Sequence, residues 1–238
     1  MGSICKLCGK EAKIRNSHII PEFFYKTLYD PPHRFFELST NKLDRIRYPQ
    51  KGIRDRLLCD KCELVFSKYE SYGCKLFSPD NIKKLKSNSS IDDVDYTKFK
   101  LFQLSILWRF SVSRNKTFKN IDLGEHEKII RLMLINGNPG LPHEYGCILS
   151  LLLFENRVFD SLIIPPEEIF YKNKLYIRSV FGGFIWFFYI NNDKDGRLES
   201  VSISDSGKLR IEIKDAKKMR FLHKHANDLA AANKLSDQ

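Results

Sequence analysis

The sequence has no stretch able to cross a membrane. The two most apolar runs, 101–112 and 176–190, are interrupted by Gln103 and Arg109 and by Arg178 with a glycine pair, whereas a spanning helix needs roughly 20 mostly apolar residues. The first ten residues hold two cysteines and no apolar segment of the kind that directs secretion. A cytoplasmic protein with no membrane partner is therefore expected, and in that compartment thiols stay reduced, so clustered cysteines argue for metal rather than disulfides. No internal repeat is visible. No GxGxxG or P-loop spacing surrounds Gly182 and Gly183, so that pair need not cradle a phosphate. Acidic residues are few beside basic ones: 29 Asp and Glu stand against 40 Lys and Arg, a formal net charge of +11.

That imbalance points to a polyanionic partner, nucleic acid more commonly than membrane. Lysine outnumbers arginine, so part of the excess is compositional. Hydrophobic residues make up 42% and aromatics 13% of the 238 residues, enough to form a core and to exclude wholesale disorder. Three zones divide the chain. Residues 1–80 hold two cysteine pairs among short apolar runs and turn residues. Residues 81–140 are helical in pattern, with a long apolar helix at 98–114 containing Trp108 and a second at 125–136 closed by Gly137 and Pro139. Residues 141–238 alternate β-branched and aromatic runs with turns, predicting strands at 147–154, 157–164, 174–181 and 184–190. A hairpin turn is expected at 191–196, a further pair at 201–204 and 208–213, and a polar helix at 215–233. Val180 to Trp186, with Gly182 and Gly183 inside, suits a tight bend between buried strands. The fold class is α+β, with an N-terminal zinc module, a helical middle and an antiparallel β-rich C-terminal region.

Cys5-x-x-Cys8 and Cys59-x-x-Cys62 supply four thiolates, the complement of an all-cysteine structural zinc site. Two-residue spacing lets both sulfurs of a pair face one tetrahedral ion. The first pair suits a knuckle turn followed by Gly9. The second suits a helix N-terminus, where the dipole helps keep thiolates ionised. This is treble-clef geometry with a long insert. Redox CxxC motifs are the alternative, but they belong in a βαβ pattern that is missing here. Cys74 and Cys147 have no partner at ligand spacing and read as inert thiols.

Between the pairs lies Asn16-Ser17-His18-Ile19-Ile20-Pro21. With the two CxxC motifs flanking it, residues 5–75 resemble HNH endonucleases of the His-Me finger group. "SHIIPEFFY", "LLCDKCE" and "LSILWRFSVS" are together similar to a group of bacterial HNH-type proteins found near mobile elements or defence genes. The resemblance implies a zinc-bound ββα-metal module. It implies His18 as the general base that activates water, and a residue at the helix start that binds a divalent ion against the scissile phosphate. Ser17 stands where many members have Asp, His or Glu. Arg54 occupies about the place of an asparagine, and Glu63 takes the position of the final His or Asn. Glu is a competent ligand for hard cations such as Mg²⁺ or Mn²⁺.

The residues support the same site by their own chemistry. On a helix from 62 to 77, Val65, Tyr69, Tyr72 and Leu76 recur at core spacing, while Glu63, Ser67 and Glu70 share another face. An imidazole near its ordinary pKa of about 6.5 accepts a proton from water at neutral pH. Arg54 or Arg56 is placed to hold a phosphate oxygen. They belong to a basic stretch, 42–56, that also carries Tyr48 and can grip a backbone. The plain readings are a turn histidine, solvated carboxylates and a solvated loop. Residues 141–238 show no chemistry of their own and suit a specificity region or a protein-docking surface; a homo-oligomer is compatible with the sequence. Three functions follow: a metal-dependent endonuclease, with DNA a better fit than RNA; a zinc-bearing nucleic-acid-binding module without catalysis; and a partner-activated subunit of a bacterial defence or toxin system.

Overall fold

The computed structural model describes residues 2–118, 121–190 and 201–235. At its front, β1 (Ser3–Ile4) and β2 (Glu11–Ala12) pair antiparallel around the turn that carries Cys5 and Cys8. Gly9 adopts φ +73° in that turn, a left-handed conformation natural only to glycine, and its N–H reaches the Cys5 carbonyl at 2.9 Å. β3 (Ile14–His18) then pairs antiparallel with β4 (Arg54–Cys59), with a register shift between Arg15 and Asn16. A 3-10 turn (Glu22–Tyr25) and a loop with one antiparallel bridge, Glu37 to Arg47, lie between these strands. β4 runs straight into α1 (Asp60–Leu76), so Cys59 occupies the N-cap position and Cys62 lies in the first turn.

α2 (Pro79–Asn88) begins at Ser78, whose Oγ accepts the Asn81 N–H at 3.4 Å, with proline in the first turn where its missing N–H costs nothing. α3 (Tyr96–Val112) is capped by Asp95 and is apolar all round, as a fully buried helix must be. Its residues 99–110 are all buried, held between α1 and α4 (Glu125–Asn136). α4 stops at Gly137 with φ +63°.

The remaining strands are β5 (Ser90–Ile91), β6 (Cys147–Phe154), β7 (Arg157–Val158), β8 (Ile164–Tyr171), β9 (Lys174–Phe181), β10 (Phe184–Tyr189) and β11 (Leu209–Asp215). They form one sheet in the order β5-β11-β6-β10-β9-β8, with β7 added to the end of β6. Every pairing is antiparallel except β11 on β6, which is parallel. α5 (Arg220–Ala231) follows a short 3-10 turn. The fold is thus mixed α and β, with five α-helices and a multi-stranded sheet among the described residues. Phe24, Phe77, Phe102, Phe181 and Trp186 interlock with centroids 4.6–6.4 Å apart, tying the 3-10 turn, α1 and α3 to the sheet. One buried cluster runs from Cys5 to Ile211 through all three zones of the chain.

Gly182 and Gly183, at φ +62° and +79°, make the expected tight bend between β9 and β10. Other expectations need correction. The strand expected at 157–164 forms only at its ends, Arg157–Val158 as β7 and Ile164 as the start of β8, which crosses Pro165 and Pro166. As the outer strand of the sheet, β8 tolerates a missing donor, and its register slips between Ile164 and Glu167. The hairpin expected between 201–204 and 208–213 is reduced to one bridge, Ile203 to Leu209, because β11 is taken up by β6 and β5. On α1 the buried face is Cys62, Phe66, Gly73 and Leu76, while Val65 is exposed. The turn expected at 191–196 lies outside the described residues.

Candidate metal centre and the histidine beside it

The four cysteines Cys5, Cys8, Cys59 and Cys62 converge, with their Sγ atoms all within 4.8 Å of one another. A tetrahedral zinc with sulfurs at about 2.3 Å sets them roughly 3.8 Å apart, and Cys8 and Cys59 are separated by 3.9 Å. The fit follows from the elements. The Lys6 N–H donates to the Leu57 carbonyl at 2.9 Å, joining the knuckle to β4, and the Cys59 N–H donates to Cys5 Sγ at 3.4 Å. Arg131 of α4 clamps the knuckle from outside through the Lys6 carbonyl at 3.1 Å.

Burial, then the neighbouring thiols, pushes the Cys62 thiol up, and burial also raises Cys5. Burial opposes ionisation of Cys8 as well, but the Lys10 backbone N–H and the other thiols outweigh it and bring it down to about 7. Four crowded sulfurs of this kind ionise together only around a cation, whose charge reverses the local preference. Four cysteines are arranged to hold a metal ion, and a sulfur-only tetrahedral set suits zinc. Cys74 is exposed on α1, and Cys147 is buried in β6 with its thiol pushed up by burial; neither joins the cluster.

Beside this centre the end of β3 meets the start of α1. Ser17, buried, donates its Oγ to the Glu63 carboxylate, and Arg15 pairs with Asp60 one turn earlier. A shallow groove lined by Arg15, Asn16, Asp60, Glu63, Leu64 and Ser67 opens along this contact. Alternation along β3 sends the next side chain, His18, the other way. Its Nε2 lies 2.8 Å from Arg54 Nε and 2.6 Å from Glu22 Oε2. Burial holds the imidazole below its ordinary 6.5, Arg54 and Arg109 push in the same direction, and Glu22 and Glu70 oppose them. No hydrogen bond or ion pair joins His18 to Glu63 among the described residues.

The structure therefore brings together Ser17 with Glu63, and His18 with Arg54. Glu70 bonds directly to neither side-chain pair but is bridged to the His18 backbone by Arg109, whose Nη1 donates to Glu70 Oε1 at 2.5 Å and to the His18 carbonyl at 2.7 Å. Arg56 lies across from Asn16 in β4 and is exposed. Two residues of this site carried no prediction. Glu22 bridges the Tyr29 hydroxyl at 2.6 Å, the Gly52 N–H at 3.2 Å and His18; its position four residues after the histidine was the available signal. Arg109 looks like a flaw in an apolar helix, yet its guanidinium supports the strand end from beneath. No family model, no curated protein and no solved structure matches the chain.

Proposed function

We propose that the chain is a metal-dependent HNH-type endonuclease built on a zinc-bound treble clef, hydrolysing phosphodiester bonds of nucleic acid, DNA in preference to RNA. The observation that carries this reading is the contact of Ser17 with Glu63. It fastens the end of the strand that carries His18 to a carboxylate in the first turn of a helix that the cysteine cluster anchors, with the imidazole on the other face of that strand. Oxygen donors such as the Glu63 carboxylate and the Ser17 hydroxyl suit a hard cation. They would hold Mg²⁺ or Mn²⁺, which supplies positive charge against the scissile phosphate. His18, neutral because it is buried beside Arg54, takes the proton from the attacking water. Arg54 leaves the imidazole as it turns to a phosphate oxygen, which frees the Nε2 lone pair only when substrate is present. The net charge of +11 favours a polyanionic substrate.

A second reading has its own support. Nε2 of His18 already has two partners, and Glu63 is a single carboxylate bonded to a hydroxyl. Under it, the chain is a zinc-dependent nucleic-acid-binding module that does not cut, alone or until a protein partner engages it. Supercoiled-plasmid conversion by wild type and His18→Ala, with Mg²⁺ or Mn²⁺ and with chelator, separates the two. Metal-dependent nicking that the substitution abolishes upholds the nuclease. Intact plasmid and intact single-stranded circular DNA, both bound by the two proteins, uphold the second reading.

A further inference from the structure

Residues 26–53 form the long insert between the strand-end histidine and β4, and its centre is a small two-stranded platform. The Glu37 N–H donates to the Arg47 carbonyl at 2.9 Å, the Arg47 N–H returns to Glu37 at 3.2 Å, and the Phe35 N–H reaches the Pro49 carbonyl at 3.0 Å. Phe36 and Tyr48 thus face each other across a narrow pair, and alternation turns both rings outward. The rings meet edge to face with centroids 5.2 Å apart, and they are 44% and 47% exposed, where large aromatics are usually covered. Arg34 lies 5.3 Å over the Tyr48 ring. Lys42, Arg45, Arg47 and Lys51 of the same insert are exposed, while Arg34 pairs with Asp30 at 2.8 Å and Arg47 with Glu37 at 3.7 Å.

The platform is braced from below and at its tip. Phe35, buried, packs on Tyr25 at 5.3 Å and on Tyr29 at 6.0 Å. Tyr29 donates to Glu22, the carboxylate against His18, and the Tyr25 hydroxyl accepts the Ile53 N–H at 3.1 Å. Lys234 holds the tip through the Lys42 and Asp44 carbonyls. Two solvent-facing rings, on a basic insert and connected through Phe35, Tyr29 and Glu22 to the histidine, match what an unpaired nucleic-acid strand needs. Bases stack on aromatic faces, while phosphates are drawn to the surrounding charge. A duplex keeps its base faces stacked inside and gains only the charge.

We infer that Phe36 and Tyr48 are a base-stacking platform that selects single-stranded nucleic acid for the site at His18. The inference rests on the nucleic-acid reading proposed above and names its substrate class. Fluorescence anisotropy in the His18→Ala background, so that no strand is cut, measures affinity for labelled oligothymidylate, oligouridylate and a mixed-sequence duplex. Both single strands should bind more tightly than duplex. Phe36→Ala and Tyr48→Ala should each weaken single-strand binding roughly five- to a hundredfold, the range for losing one stacked base, and leave duplex binding unchanged. Phe36→Tyr and Tyr48→Phe keep a ring and should bind like the parent, and zinc content and circular dichroism establish that the alanine variants fold. Folded alanine variants that bind single strands as the parent does would overturn the inference, as would a parent that prefers duplex. A duplex that is bound and cut while the aromatic variants stay neutral removes only this inference; failure to bind any nucleic acid removes the proposed function with it.

Discussion

Arg54 sits directly across the β3–β4 pair from His18 and donates its Nε–H to the imidazole Nε2 at 2.8 Å, the same nitrogen that Glu22 Oε2 approaches to 2.6 Å. One nitrogen serves one of these partners at a time. The neutral ring accepts from Arg54, and the protonated ring donates to Glu22, so the protonation state of His18 selects its neighbour.

If His18 is the base, activity depends on its neutral form and falls as pH drops through its depressed pKa. Arg54→Ala removes a cation that favours the neutral ring, so the acid limb of the cleavage profile should move to higher pH. Glu22→Gln removes the anion that favours the charged ring and should move the limb lower. His18→Ala should cost about 10²- to 10⁴-fold in rate. A pH–rate profile for each variant is the check, and an acid limb unmoved by both substitutions would identify some other group as the base.

Zinc should be present at about one ion per chain, as four thiolates of one site require. Cys59→Ser should release it and lower the melting temperature, since a hydroxyl cannot replace a thiolate in the four-sulfur set. Acid should release it as well, because the thiols must be deprotonated to bind. Elemental analysis of the purified protein across pH decides the matter.

Arg109 is only 2% exposed, and its partners are the Glu70 carboxylate, the His18 carbonyl and Ser105. Arg109→Ala strands Glu70 in a half-buried site and unpins the end of β3, so a loss of about 3–5 kcal/mol is expected from denaturant unfolding. Glu70→Ala leaves a buried guanidinium without its counter-charge, and should cost a comparable amount.

Lys100 is fully buried on α3 with no partner for its Nζ among the described residues, and burial pushes its pKa down to about 7. The unfolded amine, near 10.5, holds a proton that the folded one releases, so between pH 7 and 10.5 the unfolded state binds more protons and stability rises with pH. Lys100→Met should abolish that rise and stabilise the protein at neutral pH by about 1–3 kcal/mol, the cost of one unsatisfied buried donor. Urea unfolding at several pH values tests both.

Local patterns were the most legible part of the sequence. The bounds of β6, β9 and α4 follow from runs whose period and flanking turn residues lie within a dozen positions, and the cysteine pairs declare their convergence by spacing alone. β8 was hidden because its prolines signal a break, and only its place at the sheet edge makes them tolerable. β11 was legible as a strand at 208–213, but its pairing was hidden: Ile211 lies beside Leu149, 62 residues upstream and parallel, a pairing that no local pattern encodes. Around His18 the strand, the helix and Arg54 could be anticipated. The roles of Glu22 and Arg109 depend on what the fold sets beside them.

The parallel seat of β11 between β5 and β6 also bears on how the protein is made. β6 leaves the ribosome 61 residues before β11 is complete, a delay of roughly 3–12 s at about 5–20 residues per second. Throughout it, Leu149 and Leu151 sit on an edge with open backbone donors and acceptors, ready to recruit another nascent chain. Yield in the cell should therefore respond to chaperone supply and to translation speed over residues 155–215 more than to the stability of the finished molecule.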